Sequence, residues 1–201
     1  MALLRALSME LILSRIAAVL IYAALHGAAL ALFAKVMGDR RPERDGRLPP
    51  NPFTQISVWG VAIGALFAMS WVRPLHFNVS AIRFRIWGIV LVVVAASLFL
   101  MLLVPLLDLL RGFAFFLPPS GSYAVLLVLA QVQLIAAGSA VLNLLPIPGL
   151  AMGAIYPALW PDREKRLLRY EPIGLAFVIA MLAAGLVPNF GAFLLPHLSL
   201  L

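Results

Sequence analysis

Apolar residues run almost unbroken through four stretches of the chain, residues 9–37, 86–110, 123–145 and 172–195. A helix needs about 20 mostly apolar residues to cross the hydrocarbon core of a bilayer, and each stretch meets that length. A fifth run, 53–72, is long enough but is interrupted by Gln55, Ser57, Gly60, Gly64 and Ser70. The first stretch is too long for the apolar core of a signal peptide, and no convincing cleavage site follows it, so it is read as mature structure. The pattern predicts an all-α fold, a polytopic membrane helical bundle forming one integral-membrane domain over residues 1–201.

The charges lie between the apolar runs. Residues 38–51 carry Arg40, Arg41, Arg44 and Arg47; residues 73–85 carry Arg73, Arg83 and Arg85; residues 160–171 carry Arg163, Lys165, Arg166 and Arg169. Together they hold eleven of the 15 cationic side chains, whereas the connection after residue 110 has only Arg111. Cytoplasmic loops collect Lys and Arg. If the 53–72 run crossed the membrane, the two basic stretches beside it would lie on opposite sides. If it dips in and returns, all three basic stretches are cytoplasmic and only Arg5, Arg15 and Arg111 sit toward the far side. The charge bias therefore favours four transmembrane helices plus a membrane re-entrant segment, with the N-terminus outside; five spans, with the N-terminus inside, is the alternative. A re-entrant segment carries a physical condition: irregular backbone at membrane depth survives only where protein or a watery cavity satisfies its amide groups.

Composition narrows the function classes. The chain is 64% hydrophobic and 11% charged, against about 25% charged residues in a soluble domain, so polar surface cannot cover a core in water. The net charge of +7 on so apolar a chain orients it in a membrane, and nucleic acid is not an expected partner. Without cysteine, thiolate metal sites and thiol nucleophiles are excluded. The 162–169 segment reads as a cytoplasmic surface attracted to anionic lipid. Gly60 and Gly64 form a small-xxx-small pair that permits close helix approach, and Gly138, Ser139 and Ala140 offer the same in the third span.

Polar side chains inside spans are costly and mark candidate sites. They are His26, Asp108, Gln131, Gln133, Asn143 and Asn189. His26 begins the run His26-Gly27-Ala28-Ala29-Leu30, followed by Gly38-Asp39, Gly46-Arg47-Leu48 and Asn51-Pro52. Downstream stands Asn143-Leu144-Leu145-Pro146-Ile147-Pro148-Gly149-Leu150-Ala151. Over residues 25–174 this order resembles the site-2 protease family of intramembrane zinc metalloproteases. That family carries H-E-x-x-H, then Gly-Asp, then in its short bacterial branch G-R-L and N-P, and later N-L-x-P-I-P-P-L-D-G. Ala95-Ala96-Ser97 is similar to an eroded A-G-P motif between them. On this resemblance His26 falls on the first zinc histidine, Gly27 on the catalytic glutamate, Leu30 on the second histidine and Ala151 on the aspartate ligand. The family's topology, with its own re-entrant segment, agrees with the charge argument.

A catalytic zinc takes about three protein ligands plus an open water position, and two histidines at i and i+4 share one helix face. Leu30 and Ala151 cannot coordinate, and Gly27 has no side chain to act as general base. The resemblance thus implies a degenerate member over about residues 9–195, not an enzyme, with no cofactor. His76 and His197 are expected too far from His26 to rebuild a metal site. His26 reads as a vestige hydrogen-bonded to a nearby carbonyl or to Asn143, in preference to a lone ligand. Asn143, Pro146 and Pro148, with His26, either line a groove for an extended peptide or helix, or simply end a helix. The expected function is a scaffold or accessory subunit in a bacterial inner membrane, bound to integral membrane partners and membrane lipids; the alternative is a metalloprotease with rearranged ligands. A transporter or channel finds little support, because the spans offer no charged pathway beyond Asp108.

Overall fold

In the computed structural model, residues 8–200 are described; Arg5 lies outside them. Six helices longer than a turn or two carry the architecture: α1 (Met9–Val36), α2 (Val58–Phe67), α3 (Ile86–Ala114), α4 (Pro119–Leu142), α5 (Glu171–Ala183) and α6 (Phe190–Leu198). No strand is present among the described residues, so the all-α expectation holds. Three of the helices, α1, α3 and α4, with 28, 29 and 24 residues, are long and apolar enough to cross a membrane. At about 1.5 Å per residue even the shortest exceeds the roughly 30 Å of a hydrocarbon core. These three fit an integral membrane protein. The stripe Leu91, Leu98, Leu102, Leu106 and Leu109 on α3 is exposed, which in water would be an association patch and against lipid is an ordinary outer face.

The three long helices pack on one another, with α1 and α4 parallel and α3 antiparallel to both. Arg15 near the start of α1 reaches Gln131 on α4, and the backbone of Arg83, just before α3, bonds the carbonyl of Met37, just after α1. The bundle therefore has a Met9 end and a Val36 end. The three basic stretches gather at the Val36 end. Arg47 bonds the carbonyls of Arg73 and Pro74, and His76 lies 3.3 Å from Glu171.

The 53–72 run does not cross the bundle. Ser57 caps α2 by accepting from the Gly60 amide; after the ten residues of the helix Ala68 turns left-handed at φ 55°, and the chain returns beside its own entry. Ile56 and Val72 pair as an antiparallel bridge, which puts both ends of the hairpin at one level. The paired glycines make the return possible: a Cβ on Gly64 would strike Val19 of α1, and one on Gly60 would strike the Trp71 carbonyl.

The fourth apolar stretch, expected as one helix over 172–195, is two. Gly185 leaves α5 with φ 71°, Pro188 offers no amide to continue a helix, and Asn189 caps α6 by accepting from the Ala192 amide at 3.1 Å. The pair still runs the length of the bundle. It starts at Glu171 beside His76 and ends where the Leu200 amide bonds Asp108 near the Met9 end.

Candidate functional site

The middle of α1 faces the hairpin tip and the end of α4, and the polar side chains singled out from the sequence divide there into two groups. His26 and Asn143 are fully buried in one cluster. Histidine Nδ1 lies 2.8 Å from the Tyr22 hydroxyl, one helical turn earlier on the same face. The partner of His26 is thus a side chain of its own helix, where a carbonyl or Asn143 was expected. Asn143 is one step further along. Its amide donates to the Tyr22 hydroxyl at 3.1 Å, to the Ser70 carbonyl at 3.2 Å and to the Ser139 carbonyl at 2.8 Å. Its oxygen accepts from the Ala151 amide at 3.4 Å, and its own carbonyl accepts from the Met152 amide. Ser139 in turn accepts from the Ser70 amide at 2.8 Å. A chain of hydrogen bonds thus joins α1, the hairpin, α4 and the segment after it.

Pro146 and Pro148 lie outside that cluster. Pro146 is exposed, and its carbonyl accepts from the Tyr156 hydroxyl at 2.7 Å. Pro148 is half-buried, with Gly174 of α5 and Gly153 fitted so closely against residues 147–148 that neither has room for a Cβ.

Two of the positions that the resemblance maps onto a zinc centre, Leu30 and Ala151, meet on packing that is mostly apolar. Leu30 and Ala151 line one void of about 10 Å³ with Val72, Pro74 and Phe77, space for no more than a single water. The missing side chain of Gly27 is replaced by Gln55, whose amide lies where a Cβ on Gly27 would be. Gln55 is itself clamped. Arg47 Nε donates to its oxygen at 2.7 Å, and its nitrogen donates to the Arg47 carbonyl at 2.5 Å. Burial pushes the Arg47 guanidinium down to about 10, with the charge of Arg73 adding to this and that of Asp45 opposing it, so it stays protonated at neutral pH. Of the four mapped positions only His26 bears a donor atom, and no group of three or more His, Cys, Asp or Glu gathers anywhere among the described residues. These side chains do not fit a zinc ion. His76 pairs with Glu171, and His197 stacks edge-on against Phe193 with ring centroids 6.0 Å apart.

The chain matches no protein-family model, no curated protein and no solved structure. The likeness to site-2 proteases therefore rests on the residues alone.

The remaining intramembrane candidates serve other joints. Asp108 is 4% exposed and accepts from Gln133 at 2.6 Å and from the Leu200 amide at 2.7 Å, with Arg111 3.2 Å away. Gln131 receives Arg15, whose other nitrogen donates to the Ala65 and Leu66 carbonyls at the end of α2. Arg15 thereby supplies donors to carbonyls that the end of α2 leaves without helical partners. Tyr22, Gln55, Ser70 and Ser139 were not foreseen as site residues. Only Tyr22 carried a local signal, its i,i+4 spacing from His26.

Proposed function

We propose that this chain is a non-catalytic integral membrane scaffold, an accessory or assembly subunit that holds a transmembrane helix of another protein within a larger complex. One observation carries the reading: where the resemblance puts metal ligands, Leu30 and Ala151 leave a void of about 10 Å³, and where it puts a base, the Gln55 amide fills the space at Gly27. A pocket so filled has given up hydrolytic chemistry, while the connections that follow α1 and α4 keep the landmark residues Gly38, Asp39, Asn143, Pro146 and Pro148. Packing and interhelical hydrogen bonds would hold such a complex, since lipid provides no hydrophobic drive between helices. In this reading α1, α3, α4 and the broken α5–α6 segment are four crossings and the 53–72 hairpin is re-entrant. The Val36 end with its basic stretches faces the cytoplasm, and the membrane is a bacterial inner membrane.

Purification from native membranes in mild detergent tests the proposal. The expected result is a stoichiometric integral membrane partner; a clean monomer released from native membranes overturns it. A metalloprotease with rearranged ligands has one observation in its favour, the His26 Nε2 atom, buried without a hydrogen-bond partner. Metal analysis decides between the two, since zinc well below one per chain after gentle purification eliminates the enzyme.

A further inference from the structure

A cavity of about 490 Å³ opens at the Val36 end, and shares Leu75 and Phe77 with the small void beside Leu30 and Ala151. That volume lies within the roughly 300–1,000 Å³ of small-molecule sites. Its lining carries both signs of charge: Arg41 from the turn after α1, Arg85 at the start of α3, and Glu164 and Glu171 from the segment leading into α5. An apolar wall that includes Leu75 and Phe77 completes it. Glu171 is engaged by His76. The ion pairs among the described residues join Lys35 to Glu43, His76 to Glu171 and Arg111 to Asp108. Arg41, Arg85 and Glu164 take part in none of them.

Two features place this cavity at the membrane surface. Its lining adjoins membrane-length helices, with Arg41 five residues past α1 and Arg85 immediately before α3, and Trp87 and Trp160, each within two residues of a lining side chain, are 73% and 50% exposed. Tryptophan at such positions belongs to the headgroup layer. The backbone beside the cavity is also unusual. Phe84 and Arg85 are consecutive non-glycine residues with φ of 62° and 52°, a conformation L side chains adopt only when surrounding structure imposes it.

We propose that this cavity is a headgroup site for a zwitterionic aminophospholipid. Arg41 and Arg85 take the phosphate, as guanidinium groups do with paired donors, and Glu164 takes the primary amine. The apolar wall receives the glycerol and the first methylenes. An anionic lipid without an amine leaves Glu164 unpaired beside its own headgroup. A choline headgroup offers Glu164 no N–H donor. The assignment depends on the chain being in a membrane and not on the scaffold reading.

The purified chain, reconstituted in nanodiscs with equal phosphatidylethanolamine, phosphatidylcholine and phosphatidylglycerol, is released and its retained lipid counted by native mass spectrometry. One phosphatidylethanolamine per chain is the expected result. The double variant Arg41→Gln with Arg85→Gln should lower its retention by about tenfold or more, with melting unchanged because both side chains are exposed. The variant Glu164→Gln should keep a lipid but lose the preference for ethanolamine over choline. Equal retention of the three lipids, or retention untouched by the arginine variant, overturns the proposal. Displacement of the lipid by soluble phosphoethanolamine would show that the same phosphate-and-amine chemistry serves a water-borne ligand, and overturns the lipid assignment.

Discussion

The hairpin over residues 56–72 and the terminal segment over residues 171–198 both interrupt a helix inside an apolar bundle, and their loose backbone groups are met in opposite ways. In the hairpin, remote side chains do the work. Arg15 bonds the Ala65 and Leu66 carbonyls, Tyr22 and Asn143 bond the Ser70 carbonyl, and Ser139 accepts the Ser70 amide. The terminal break is met locally. Leu186 bonds Met181, Gly185 bonds Leu182, and Asn189 caps the next helix, so no side chain from α1, α3 or α4 is needed. A self-contained break leaves its outer faces free: Ile173, Phe177, Leu186 and Phe193 are all more than half exposed. The hairpin is thus tied into the core through its returning limb, although Val58 and Trp59 at its start are exposed, and the terminal segment, like the leucine stripe of α3, has apolar surface to offer without being held by remote side chains.

The largest effect should come from Asn143→Leu, which keeps the volume and removes a group bonded to four partners at once. Interhelical hydrogen bonds in membranes average only about 0.6 kcal/mol each, but buried carbonyls left without donors raise the expected loss to about 3 kcal/mol. Unfolding in detergent measures it, and hydrogen exchange should show residues 68–72 opening before residues 184–190. Uniform loosening of both segments would erase the contrast between them.

Next is Gly27→Ala. The added methyl meets the Gln55 amide, and overpacking of this kind costs about 1–3 kcal/mol. Gln55→Ala in the same chain should return most of that loss, a coupling that a double-mutant cycle reads directly. A neutral Gly27→Ala would show that Gln55 does not sit where the side chain of residue 27 would be.

The hairpin was legible in advance because charge, unlike hydropathy, is sensitive to which end of the bundle a loop occupies. Arg40, Arg41, Arg44 and Arg47 on one side of the run and Arg73, Arg83 and Arg85 on the other made a crossing costly. The three long helices followed from apolar length alone. The break in the fourth stretch did not, because Gly185 and Pro188 sit inside a run whose mean character is as apolar as the others, and hydropathy averages over them. Within the candidate site, His26 and Asn143 stood out as polar residues in apolar helices. Gln55 also stood out, but as a mark against a span. That it fills the space at Gly27 follows only from the hairpin lying against α1, a contact between residues 28 positions apart that no local pattern encodes.

A smaller effect, confined to one end of the hairpin, is expected of Arg15→Met. It removes the donors to Ala65 and Leu66 and the bond to Gln131, at about 1–2 kcal/mol. Faster exchange should be limited to amides near residues 64–68, with those of residues 186–192 unchanged. If both regions respond, Arg15 holds the bundle as a whole and does not serve the hairpin end.

The terminal segment should give the reverse result. Phe177 and Phe193 are 57% and 70% exposed, so Phe177→Ala with Phe193→Ala should move the stability of the isolated chain by no more than about 0.5 kcal/mol. If the self-contained segment is where a partner helix rests, the same double variant should sharply lower recovery of that partner from native membranes, because close van der Waals packing is what holds helices together in lipid. The hairpin variant Arg15→Met should leave recovery of the partner unchanged per folded chain. Stability lost through the hairpin and association lost through the terminal segment would then separate in one pair of measurements. Loss of the partner in Arg15→Met alone would instead place the docking face on the hairpin side of the bundle.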